Sequence, residues 1–352
     1  MATRRAFLSG LAALALPKPG WAAVGSPHCL AAGKTAERYV LHGLSADGHS
    51  LFAIDLPGRG HAAAAHPHRP LAVAFARRPG TFAIVLDCMT GAEQYQLTPP
   101  AGRQFNGHGV FSADGRVLYT SEVIAETSQG RIGIWEAEDF QRVGEWSSGG
   151  IGPHDLKRQA DGGLIVANGG IATDPADRSK LNIATMRPNL TRLSPAGEIT
   201  AQAELPPALW QNSIRHLALA PDGTVAFAMQ WEGDPAEPVP LLGLWQIGTP
   251  PQLCPPPEAE AFRMQGYAGS VAISGSGQIA LTSPRGGVVM IHAQNGAHLA
   301  THARADVCGV TALGSGFLLS DGSGALWSLE DQQLSPLTVG DTHWDNHIVP
   351  LA

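Results

Sequence analysis

The sequence predicts an all-β fold, a seven-bladed β-propeller closed by pairing of the C-terminal strand with the N-terminal blade. Three observations predict it. Gly (42) and Pro (27) make up about a fifth of the 352 residues, while only 15% are charged and 44% are hydrophobic. That composition suits many short strands joined by tight turns, and excludes a disordered chain or a long-helix protein. Turn pairs also recur along the whole chain: Asp47-Gly48, Asp114-Gly115, Asp161-Gly162, Asp222-Gly223, Ser276-Gly277 and Ser315-Gly316. Asp-Gly is a strong hairpin signal because both residues tolerate positive φ. Finally, a short apolar run headed by a distinctive residue precedes most of these turns, at a spacing that suits one four-stranded blade each.

The chain begins with an address. Thr3-Arg4-Arg5-Ala6-Phe7-Leu8 is similar to a twin-arginine export signal, followed by an apolar run from Phe7 to Leu16 that is too short to span a bilayer. Ala22 and Ala23 are small enough for signal-peptidase cleavage, Ala22 being the favoured last residue. The expected division is a signal over 1–23 and a single propeller domain over 24–352. No later stretch is long and apolar enough for a membrane helix, so a soluble periplasmic protein is expected.

The repeat is clearest in His108 to Gly115, His154 to Gly162 and His216 to Gly223, each an apolar run ending in Asp-Gly. His61 fills the same slot before His66-Pro67. Ser270 and Cys308 fill it with other residues, and His347 supplies a seventh slot near the C-terminus. Beyond His347 only about one strand remains, while the N-terminal segment has two strand-like runs, Arg38–Leu41 and Ser50–Asp55, and no slot of its own. The two ends therefore complete one blade, and closure removes the exposed edges of the sheet array. The interval between His154 and His216 is long, and residues 169–211 are expected to include a functional insertion.

The first strand of a propeller blade lies nearest the central channel, so residues in the slot crowd the axis. His61, His108, His154, His216 and His347, with Cys308, are the expected metal ligands. Imidazole and thiolate together suit Cu, Fe or Zn rather than Ca or Mg. Asp155, Asp345 and Asn346 are adjacent acceptors for the outward ring nitrogens. The other nine His lie near turns or outer strands, where solvation or local hydrogen bonding is expected. Arg215 and Arg285 are the expected anion-binding residues, for a substrate or for the carboxylates of a haem. Cys308 is expected to be free, with Cys29, Cys88 and Cys254 undecided. A net charge of −7 leaves no electrostatic footprint for nucleic acid.

Several motifs together resemble one family. They are Gly58-Arg59-Gly60-His61, Gly107 to Gly115, Ser148 to Asp155, Ser213 to Ala218, Thr282 to Gly287, Cys308-Gly309-Val310 and Trp344-Asp345-Asn346-His347. On these residues the chain is similar to the DUF1513 family of exported bacterial proteins. The resemblance implies a propeller-like periplasmic protein of an iron-uptake setting, with imelysin-like or di-haem peroxidase-like proteins as partners. It implies no particular reaction. Asp155 stands where the family pattern has Glu, and Trp231 where it has Tyr; both are expected to lie off the ring. The leading expectation is a metal- or haem-handling propeller of an iron or copper acquisition system. The alternatives are a non-enzymatic interaction scaffold in the uptake assembly, or a redox enzyme or lyase using the axial His.

Overall fold

A computed structural model describes residues 19–77 and 81–351. The expected export signal falls for residues 1–18 outside the described residues. Residues Trp21–Val24, near its end, form a 3₁₀ turn, and the Trp21 indole N–H donates to the His66 carbonyl at 2.8 Å. Among the described residues no helix is long and apolar enough to cross a membrane.

The strands form seven four-stranded antiparallel sheets, the blades of a seven-bladed β-propeller. Blade 1 joins the two ends of the chain: Thr342–Pro350 is its innermost strand, followed outward by Cys29–Thr35, Arg38–Leu44 and Ser50–Leu56. The closing pair runs from Cys29 opposite Pro350 to Thr35 opposite Thr342. Blades 2 to 7 each read outward in chain order, and their innermost strands are Gly60–Ala65, Arg103–Phe111, Pro153–Arg158, Asn212–Leu219, Ser270–Ile273 and Val307–Leu313. Every slot residue lies in an innermost strand, as the repeat requires.

The blades hold together through alternation on both faces. In Leu71–Ala76 of blade 2 all six residues are buried. Val73 and Phe75 pack toward blade 3 with Phe105, Phe111, Leu118 and Trp135, while Ala72 and Ala74 pack toward blade 1 with Leu30, Leu41 and Ile54. Successive side chains of a strand point to opposite faces, so one apolar strand serves two interfaces. Each of the seven interfaces has its own apolar cluster, including the one between blades 7 and 1, where Cys308, Leu318 and Leu326 meet Cys29, Leu44 and Ile348. A protein with no single centre, only blade-on-blade seams, needs few charges.

The turns are partly as expected. Gly115, Gly162, Gly223 and Gly277 have positive φ and close the hairpin between the first and second strands of their blades. In blade 7 it is Gly314 that takes positive φ, one step before the expected pair. Asp47-Gly48 joins the third and fourth strands of blade 1, not the first and second, because Thr342–Pro350 occupies the inner place. The expected insertion over 169–211 is shorter than the interval suggested. Asn189–Leu193 and Ile199–Glu204 within it are the two outer strands of blade 4.

Candidate metal centre on the propeller axis

The inner strands bend where the slot residues sit. Regular pairing with the second strand is interrupted between Gly60 and Ala63, Phe105 and Gly109, Pro153 and Asp155, Ile214 and His216, and Val307 and Val310. The closing strand is interrupted between Trp344 and Ile348. A β-bulge adds an unpaired residue, bends the strand and re-aims its side chain. Blade 6 keeps regular pairing from Ser270 to Ile273, and it is a blade without an axial His. Gly107 shows how tight the axis is. Its φ is 100°, and a Cβ there would stand 2.7 Å from His61 Cδ2.

Four of the six expected ligands meet. His61, His108, His154 and His347, from blades 2, 3, 4 and 1, offer ligand nitrogens that all lie within 4.8 Å of one another. His108 Nε2 is 3.2 Å from His61 Nε2, close to the edge of about 3.3 Å expected for a tetrahedron with zinc–nitrogen arms near 2.0–2.1 Å. His216 is a fifth member of the cluster, its ring 4.8 Å from those of His154 and His347, but it stands outside the compact four. Cys308 does not join them. Its thiol contacts the carbonyls of Trp344 at 3.7 Å and Asp345 at 3.4 Å, and burial pushes it up to about 12. The donor set is therefore imidazole alone.

Burial keeps three of the rings neutral. Burial, followed by the neighbouring imidazoles, holds His154 and His347 well below the ordinary value, and burial brings His216 to about 3. His154 has neither ring nitrogen hydrogen-bonded, and His216 Nδ1 and His347 Nε2 are likewise buried without a partner. Orphaned buried nitrogens are rare and mark either strain or a missing partner. Asp155 corrects the expectation that it lies off the ring: its Oδ1 is 3.3 Å from His108 Nδ1. The carboxylate also accepts from the backbone N–H of Leu156 at 2.8 Å and of Leu217 at 3.0 Å, which fixes it between blades 4 and 5. Burial opposes its charge, yet Lys157 and His108 hold the carboxyl well below the usual range. The other two adjacent acceptors turn away. Asp345 pairs with Arg59 at 2.6 Å and Arg77 at 2.5 Å, and the Asn346 amide reaches the Tyr267 hydroxyl at 3.3 Å.

At one mouth of the axis His61, His154 and His216 open into a cavity of about 480 Å³. Arg215 and Arg285 both line it, as does Trp231. Arg215 is 9% exposed with its Nε unpartnered, and the Arg285 guanidinium lies over the Tyr267 ring at 4.4 Å. Sequence reasoning did not single out Arg77, Arg178, Lys180 or Tyr267 as site residues, although they share this wall. Arg178 and Lys180 belong to the blade 4 insertion, whose length was their signal; nothing local marks Arg77 or Tyr267. The nine remaining His are peripheral to the ring. His42, His66 and His292 are buried but locally hydrogen-bonded, to Ser50, to the Arg69 backbone and to the Gly296 carbonyl. All four cysteines are free.

Among solved structures the chain is similar in fold to a streptogramin B lyase, with 13% identity, a TM-score of 0.57, and coverage of 80% of this chain and 84% of that one. It is similar to the same degree to hydrazine synthase of Kuenenia stuttgartiensis, with 12% identity, a TM-score of 0.57, and coverage of 85% and 88%. At such identities the likeness is one of fold. No curated protein matches the sequence. The family model described as "Protein of unknown function (DUF1513)" matches residues 54–351, nearly the whole propeller, and the chain belongs to that family.

Proposed function

We propose that the protein is a periplasmic metal-handling propeller that holds a transition-metal ion on its axis through His61, His108, His154 and His347, with His216 beside them. The observation that supports this most is the convergence of four imidazoles from four blades within 4.8 Å. Side chains brought together from separate sheets, each on its own bulge, are an arrangement that packing alone does not call for.

An all-imidazole set suits Cu, Zn or Fe. When bound, the ion supplies a Lewis-acidic or redox centre at the floor of the mouth cavity. The protein's residues do the rest. Asp155 accepts the Nδ1 proton of His108, so His108 Nε2 carries its lone pair inward. His61 Nε2 lies 3.2 Å from His108 Nε2, so the two nitrogens would hold an ion together. Burial keeps His154, His216 and His347 neutral, which favours loading at neutral pH. A haem would place its ring in the cavity, with Arg215 and Arg285 at its carboxylates; the compactness of the nitrogen set favours a bare ion. The iron- or copper-acquisition setting, the partners and the export route rest on the family resemblance and the signal-like N-terminus.

Metal analysis of protein exported by its native route, followed by titration with Zn, Cu and Fe, tests the reading. Stoichiometric metal or uptake is expected, lost in both His108→Ala and His154→Ala. Native protein that carries no transition metal and takes up none would overturn it.

A further inference from the structure

We propose that the mouth cavity takes a small polycarboxylate anion, which completes the coordination of the axial ion. The proposal rests on the reading of the His ring as a metal site, and it is carried by the distribution of charge around that cavity.

Five cationic side chains line the cavity: Arg77, Arg178, Lys180, Arg215 and Arg285. Two have ion-pair partners. Arg77 pairs with Asp345, which it shares with Arg59, and Lys180 pairs with Glu232. Among the described residues, no carboxylate lies within ion-pair distance of Arg178, Arg215 or Arg285; Glu232, paired with Lys180, acts on Arg215 only at longer range. The protein as a whole is acidic, with a net charge of −7, so three unpaired guanidinium groups around one opening run against its average. Arg215 is the costliest. It is nearly buried, with an unpartnered Nε, beside His216 on the same inner strand. A buried charge is retained where something pairs with it.

The metal reading sharpens the problem. Neutral imidazoles bring no negative charge, so a divalent ion on the axis would add two positive charges near three guanidinium groups that have no ion-pair partner. In a low-dielectric site that repulsion is large unless an anion sits between them. His61, His154 and His216 belong to the ring and also line the cavity, so an anion in the cavity would sit beside an ion held by the ring. Guanidinium forks match carboxylate geometry in bidentate fashion. The cations come from several blades and the blade 4 insertion, around a space of about 480 Å³. A single tetrahedral ion meets few of them, whereas a molecule with two or three carboxylates meets several. Tyr267, beneath Arg285, fixes the fork of that side chain and leaves its edge for the anion.

Equilibrium dialysis of labelled citrate against the full chain, ion-free and zinc-loaded, tests this, with zinc uptake measured separately in citrate-free buffer. Citrate is expected to bind the ion-free protein in a salt-sensitive way and the zinc-loaded protein at least about tenfold more tightly. Arg285→Gln and Arg178→Gln are each expected to weaken citrate about tenfold. Both side chains lie at the mouth, so their loss leaves the blades intact. Zinc uptake without citrate binding overturns the anion proposal and leaves the metal reading standing. Arginine-dependent citrate binding without zinc uptake overturns the coordination role of the anion at a zinc site, and the metal reading falls with it where copper and iron are not taken up either. Inorganic phosphate competing as strongly as citrate overturns the polycarboxylate assignment.

Discussion

His108 Nδ1 lies 3.3 Å from Asp155 Oδ1, a carboxylate carried by the neighbouring blade. The Leu156 and Leu217 backbone N–H groups hold that carboxylate in place, so the orientation of the His108 ring is set by blades 4 and 5 and not by its own strand. Replacing Asp155 by Asn keeps the shape but weakens the acceptor. Metal affinity is expected to fall about 10–100-fold in Asp155→Asn, read by competition against a chelator. Unchanged affinity would show that the ring is set by packing alone.

Cys308 shares the repeat register with the five His yet turns its thiol to the Trp344 and Asp345 carbonyls of the closing strand. Its thiol donates to backbone carbonyls and burial keeps it protonated, pushed up to about 12. A serine hydroxyl can make the same contacts, so Cys308→Ser is expected to leave metal stoichiometry unchanged and stability within about 1 kcal/mol. Loss of the metal in this variant would place the thiol in the coordination set.

Blade 3 carries a buried ion pair away from the axis. Glu122 is fully buried, accepts from the Thr120 hydroxyl at 2.8 Å, and pairs with Arg142 at 2.8 Å. Burial pushes its carboxyl up, and Arg142 and Thr120 oppose that. Arg142→Met leaves the charge unpaired and is expected to cost about 3–5 kcal/mol in urea unfolding. The double variant with Glu122→Gln is expected to recover much of that loss, because the stranded charge is gone. Equal loss in single and double variants would contradict the account.

Acid should weaken the fold through His292. The ring is fully buried in blade 6, its Nδ1 is 3.1 Å from the Gly296 carbonyl, and burial lowers it to about 4. Its folded value lies below the ordinary 6.5, so the unfolded chain takes the proton first. Stability is then full above about pH 6.5 and is lost as pH falls toward about 4, by about 2 kcal/mol from this group at about pH 5. His292→Gln is expected to flatten that slope. An unchanged slope between about pH 7.5 and about pH 5 would assign acid sensitivity to other groups.

The ring of blades was legible because inner strands repeat one physical demand. Each needs an apolar run, a residue at the axis and a tight turn, and His108, His154 and His216 stand six, seven and six residues before the Asp of their Asp-Gly turns. Cys29–Thr35 escaped notice because its Ala, Gly and Lys residues have little strand character; two flanking strands impose the conformation. The misplaced turn at Asp47 follows from the same strand, which shifts every position of blade 1 by one. At the site, the imidazoles were legible as a register and Asp155 as a neighbour. The cationic mouth was legible only at Arg215 and Arg285, because Arg77 and Arg178 reach it from a strand end and a loop whose meeting depends on the closed ring.

That closure has a consequence for how the molecule lives. The closing strand carries His347, whose ring is 4.4 Å from that of His61 in blade 2, across the place where the two chain ends are joined. The axial centre therefore cannot exist in any partly assembled chain; it is complete only when the last strand has docked. An ion gripped there would act as a clasp on the ring. Loaded protein should open far more slowly than empty protein, so the metal would govern how long the folded ring lasts.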